Sequence, residues 1–111
     1  MVRANQRVRV AVDAMGGDYA PGEIVKGVVL AAEKGDVDIA LVGPTDIVEA
    51  ELAKYDASRL PIRCVRADEF IKEDENPALA VRRKPNSSIA VATRMMKEGE
   101  ADGLISGGPT G

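Results

Sequence analysis

The sequence predicts an α/β fold, a mostly parallel sheet with helices on both faces, hence three layers. Three observations predict it. Short apolar runs carrying β-branched residues recur at Val8–Val12, Val37–Val42, Pro61–Val65 and Gly103–Ser106, and such runs suit strands buried in a sheet. Between them lie stretches with apolar residues at 3.6-residue spacing, the pattern of a helix with one face on a core. Several of the strand candidates also run out into glycine: Asp13 leads to Gly16 and Gly17, Val42 to Gly43, and Ser106 to Gly107 and Gly108. Carboxyl ends of parallel strands border the ligand crevice of α/β proteins, and glycine lets a ligand approach the backbone.

The first strand, through Val12, stops at Asp13. A helix is expected from about Pro21, at its first position, with Glu23 near the positive end. Ile24, Val25, Val28, Val29, Ala31 and Ala32 give that helix a broad apolar stripe, and Gly35 offers a left-handed stop. The second strand closes at Gly43-Pro44. Thr45 or Asp46 is the expected cap of a second helix, with Val48, Leu52 and Tyr55 on one face. After the third strand, the charged stretch Arg66–Glu75 reads as a solvated excursion. Asn76-Pro77 starts a short helix through Arg83, which Lys84-Pro85-Asn86 interrupts. Ser87 or Ser88 then caps a further helix carrying Ile89, Ala92 and Met96, with Gly99 as its stop. This alternation of strand and helix is the rhythm of a Rossmann-like parallel sheet.

Composition narrows the chemistry. A chain of 111 residues predicts one domain with a modest core. With 45% hydrophobic residues and 3% aromatics, that core is built from Val, Ile and Ala, and the chain is not disordered. A net charge of −3 gives no global attraction to nucleic acid or anionic lipid. Arg3, Arg7 and Arg9 are followed by no long apolar run, so neither signal peptide nor membrane span is expected, and a cytoplasmic location is. The absence of histidine removes His-based acid–base chemistry, Ser-His and Cys-His pairs and His-ligated metals. Cys64, alone in its apolar run, reads as an inert thiol rather than a nucleophile.

Four features remain as candidates for function, each with a plainer reading. Asp13 with Gly16 and Gly17 could orient a phosphate or polar substrate, or could simply make and tie down a turn. Ser106-Gly107-Gly108-Pro109-Thr110-Gly111 could form an anion-binding nest, less one donor at Pro109, or a loose tail. Arg82, Arg83 and Lys84 with Asn86, Ser87 and Ser88 could hold an anion by side chains and helix amides, or be an exposed helix end. The acidic group Asp68, Glu69, Glu73, Asp74 and Glu75 lacks metal-site spacing and reads as a solvated face.

The segment Asp13-Ala14-Met15-Gly16-Gly17-Asp18, with Tyr19-Ala20-Pro21, closely resembles the opening of the bacterial phosphate acyltransferases of phospholipid synthesis. Ile24-Val25-Lys26-Gly27, Arg82-Arg83-Lys84 with Ser87-Ser88, and the closing strand-and-glycine segment extend the resemblance from about Val8 onward. It implies a fold similar to the phosphate acetyltransferase and isocitrate dehydrogenase group. It also implies transfer of an acyl group from acyl-[acyl carrier protein] to inorganic phosphate, with no cofactor and no metal. Asp13, Gly16, Gly17, Arg83, Lys84, Ser87, Ser106, Gly107, Gly108 and Thr110 are the expected phosphate and substrate contacts, with the catalytic residues left unassigned. The family's closing motif reads Ser-Ala-Gly-Asn-Thr-Gly, whereas here Gly107 and Pro109 stand at its alanine and asparagine. Family members are longer, so residues 1–111 are expected to be the N-terminal part of a single acyltransferase domain and inactive alone. The remainder would carry part of the cleft and the acyl and carrier-protein surfaces. The resemblance further implies a homodimer and peripheral membrane association of the full enzyme. A non-catalytic phosphate-binding or small-ligand module and an inert assembly fragment are the alternatives.

Overall fold

A computed structural model describes residues 8–17, 19–68 and 85–106. Four strands, β1 (Val8–Asp13), β2 (Val37–Gly43), β3 (Ile62–Arg66) and β4 (Gly103–Ile105), form one sheet in the order β3-β2-β1-β4. Every pairing is parallel, with Val10 beside Ile39, Val12 beside Leu41 and Val12 beside Ile105. Helices α1 (Gly22–Glu33) and α2 (Thr45–Leu52) follow β1 and β2, and α3 (Ser88–Lys97) precedes β4. The three-layer parallel architecture expected from the sequence is therefore present.

Side chains alternate across the pleat, so each strand serves two cores. Val12, Ile39 and Leu41 meet Val25, Val28, Val29 and Ala32 of α1 and Val48 of α2 on one face. On the other, Ala11, Ala40 and Val42 meet Ala92 and Met95 of α3. The small alanines on that second face let α3 approach the sheet closely. Gly43 marks another close approach: a Cβ there would lie 3.1 Å from Val48 Cγ2 and 3.2 Å from the Ala14 Cβ.

Punctuation by glycine follows expectation at two helix ends. Gly35 (φ +79°) and Gly99 (φ +78°) take left-handed conformations just past α1 and α3, where a Cβ would be strained. Several details differ. Pro21 stands one position ahead of α1, which begins at Gly22. Pro44 occupies the cap position of α2 with no side-chain hydrogen bond, and Thr45 is already helical, so neither Thr45 nor Asp46 caps it. Ala31, expected in the apolar stripe, is exposed, because the buried face of α1 is Val25, Val28, Val29 and Ala32. On α3 Met95 is buried while Met96 is 41% exposed, because it is Met95 that packs with Ala92 against Ala11, Ala40 and Val42 of the sheet. The short helix expected over Asn76–Arg83, and most of the charged excursion before it, lie outside the described residues.

Cys64 lies partly buried against the α1/α2 core. Burial first, and the Glu49 carboxylate second, push its thiol above the ordinary range, because both disfavour the thiolate. Cys64 is thus expected to react with iodoacetamide more slowly than free cysteine at pH 8. Its rate should keep climbing beyond the pH at which the free thiol levels off. Alkylation followed by intact-mass spectrometry checks both; a rate matching free cysteine would contradict the burial.

Candidate functional site

Strand order alone locates a crevice. From β1 the chain steps outward to β2 and then β3, and returns to place β4 on the opposite side of β1. Helix α1, which follows β1, covers one face of the sheet and α3, which precedes β4, covers the other, so the strand order reverses between β1 and β4 and the gap lies at their carboxyl ends. Asp13 ends β1 at this point, and Ser106 follows the last residue of β4.

Alternation then aims the side chains. Asp13 shares parity with Ala11, so its carboxylate points to the α3 face. Ser106 shares parity with Leu104, which also packs on the α3 side. The first residue of α3 is Ser88, and its hydroxyl meets the carboxylate directly. Ser88 Oγ donates to Asp13 Oδ1 at 2.5 Å, and Ser106 Oγ donates to Asp13 Oδ2 at 2.9 Å. The Met15 backbone N–H donates to Oδ1 at 3.0 Å. One carboxylate thus ties together the exits of β1 and β4 and the start of α3. Asp13 is 5% exposed and Ser88 1% exposed, so these polar groups depend on each other rather than on solvent.

The bend after β1 folds back on the same residue. Gly16 N–H donates to the Asp13 carbonyl at 3.3 Å, and Gly17 adopts φ +103°. Ala14 N–H donates to the Val42 carbonyl at 2.8 Å, which joins this bend to the exit of β2. The glycine-bearing exits of β1 and β2 and the Ser106 exit of β4 consequently share one rim. Asp13 accordingly acts as a tie among loops: its oxygens are engaged by three donors, and a carboxylate would repel an anion brought against it.

Ser87, expected as a phosphate contact, is 0% exposed. It caps α3, its side chain accepting from Ala90 N–H at 3.3 Å. That cap holds the first turn of α3, the positive end of the helix, at the rim. Arg83, Lys84, Gly107, Gly108 and Thr110 lie outside the described residues. Ser88, named with Ser87 beside the basic cluster but left out of the expected contacts, is the partner of Asp13 that sequence reasoning did not indicate. The signal was the serine pair: one hydroxyl caps the helix, and the next residue points about 100° further round the axis.

Among the described residues no group of three or more Cys, Asp or Glu side chains could hold a metal ion. None of the described helices is long and apolar enough to cross a membrane.

Residues 8–111 match the family described as fatty acid synthesis protein. The chain is 52% identical over 104 residues to a phosphate acyltransferase of Pelotomaculum thermopropionicum, covering 94% of this chain and 30% of that protein. It is 53% identical over 107 residues to a phosphate acyltransferase of Heliobacterium modesticaldum and 50% identical over 104 residues to one of Desulfitobacterium hafniense. Those alignments cover 94% of this chain and 31% of each relative. The chain therefore spans a little under a third of the length of these curated relatives, and it belongs to the fatty acid synthesis protein family.

Proposed function

We propose that the whole protein is an acyltransferase that moves a fatty acyl group from an acyl-[acyl carrier protein] thioester to inorganic phosphate, yielding acyl phosphate for phospholipid synthesis. The observation that carries this reading is the tie of Asp13 to Ser88 and Ser106 at the switch point of a parallel sheet. Relatives at about half identity that are named phosphate acyltransferase support it.

The chemistry asks little of acid–base groups. A phosphate oxygen is already nucleophilic, so the protein must hold the anion beside the thioester carbonyl and stabilise the tetrahedral oxyanion that forms. The carbon–sulfur bond then breaks and the thiol departs as thiolate, which needs no general acid near neutral pH. Backbone amides of the rim, that of Gly17 among them, and the α3 start behind Ser87 suit the anion, with Gly16 closing the bend. So do Gly107, Gly108, Thr110, Arg83 and Lys84, with the Ser106 hydroxyl held on Asp13. Asp13 and Ser88 would position this set. On this reading the acyl carrier protein is a partner, and the full enzyme is a cytoplasmic homodimer with peripheral membrane association. The 111-residue chain alone would bind phosphate without turnover.

Isothermal titration with inorganic phosphate tests the site. Saturable binding is expected that weakens at least fivefold in Asp13→Asn, with no acyl phosphate formed from carrier-protein thioester by this chain alone. Absence of phosphate binding would overturn the site. Phosphate binding by a full-length relative that makes no acyl phosphate would favour a non-catalytic binding module.

A further inference from the structure

An apolar groove runs from the candidate site down the other face of the sheet. Its volume is about 270 Å³, and its walls include Val10 and Val12 of β1, Ile24, Gly27 and Ala31 of α1, and Ile105 of β4. At one end it reaches Asp13 and Ser106, with Glu23 beside them; elsewhere its lining is apolar. Ile105 is 58% exposed here, an uncovered branched side chain beside a polar cluster.

We propose, resting on the acyl-transfer reading, that this groove seats the hydrocarbon tail of the acyl group, with the reacting carbonyl at the Ser106 end. Three features of the fold favour a ligand tail over a packing helix. First, the groove is continuous with the polar rim, so one molecule with a polar head and an alkyl tail would satisfy both. Second, Gly27 leaves the groove wall without a side chain midway along α1. Third, among the described residues no helix covers this groove at Ile105. Helices α1 and α2 serve steps to one side of β1. A further parallel strand beyond β4, joined by a right-handed crossover, would bring its helix to the α3 face. This assignment differs from the expectation that the acyl surface lies wholly in the longer relatives' remaining length.

Alkylphosphonates supply stable probes with an anionic head and a chosen tail. In calorimetric titrations of the unmodified protein, octylphosphonate is expected to bind at least tenfold more tightly than methylphosphonate. Each fully buried methylene contributes roughly a fourfold gain, so burial of two already suffices. Gly27→Leu fills the groove: a Cβ at residue 27 meets nothing within 4 Å, and leucine is the better helix former. The octyl-to-methyl ratio should fall to near one in that variant, while its circular dichroism melt stays at least as high as the parent's. Methylphosphonate binding with no gain from the octyl tail overturns the groove and leaves the phosphate site standing. A tail gain that survives Gly27→Leu also overturns it. Octanol binding that Gly27→Leu abolishes, without any phosphonate binding, supports the groove and overturns the phosphate site instead. Silence from every probe overturns both. A dimer that Gly27→Leu dissociates, with no tail gain, assigns the groove to a second copy and overturns the proposal.

Discussion

Asp13→Ala is expected to lower the stability of the fold by about 3 kcal/mol and to weaken phosphate binding more than tenfold. Three donors lose their acceptor at once: the Ser88 and Ser106 hydroxyls and the Met15 amide. Leaving a buried donor unpaired costs about 1–3 kcal/mol, and Ser88 is almost wholly buried. The Met15 amide and the Ser106 hydroxyl are only part-buried, so water can replace part of what they lose. A domain of this size has roughly 5–15 kcal/mol in total, and about 3 kcal/mol would lower the melting temperature by more than ~10 °C. Binding falls for a second reason, because the exits of β1 and β4 and the start of α3 lose their common tie. Asp13→Asn keeps one oxygen acceptor and offers an amide that the rotatable serine hydroxyls can accept, so it should cost about half as much. Thermal melts of Asp13→Ala, Ser88→Ala and the double variant separate coupling from independent damage. The pair should cost less than the sum by about 1 kcal/mol or more. Additivity within about 0.5 kcal/mol would mean that the short Ser88 contact contributes nothing to holding the rim.

How much of this was legible in the sequence follows from the range of the interactions involved. The strand through Asp13 and the stops at Gly35 and Gly99 depend on residues a few positions apart, and they appear where the pattern puts them. The Met95 and Met96 exchange shows the limit of that reasoning. Two adjacent methionines both fit an apolar stripe begun by Ile89 and Ala92, and only the packing of α3 on Ala11, Ala40 and Val42 selects one. Asp13 was readable as a residue of interest, from its place between a strand and two glycines. Its role was not. Ser88 is 75 residues away and Ser106 is 93 residues away, and nothing local in the chain reports that they converge. Ser106, expected to face an anion from a glycine-rich nest, donates its hydroxyl to a carboxylate instead. The difference arises because strand parity and strand order act together: one aims the side chain, the other brings its neighbour.

Leu41→Ala is expected to cost about 3–4 kcal/mol, a loss comparable to that of Asp13→Ala but reached by another route. Leu41 is fully buried in β2, beside Val12 of β1 and Cys64 of β3, in the core beneath α1 and α2. Truncation removes the transfer free energy of the side chain and leaves a cavity, since flanking strands fixed on both sides cannot close it; such changes cost about 2.7–5 kcal/mol. The neighbouring Ala40 faces α3, and there the reverse change applies: Ala40→Leu should overpack at about 1–3 kcal/mol. Neither position touches the rim. Denaturant titration of Leu41→Ala should thus show a lower midpoint with an unchanged slope, and the molecules still folded should bind phosphate with parental affinity. Asp13→Ala should lower both quantities. If Leu41→Ala reduced phosphate affinity as strongly as Asp13→Ala, the rim would be held by the core as a whole, and the Asp13 tie would lose its special standing.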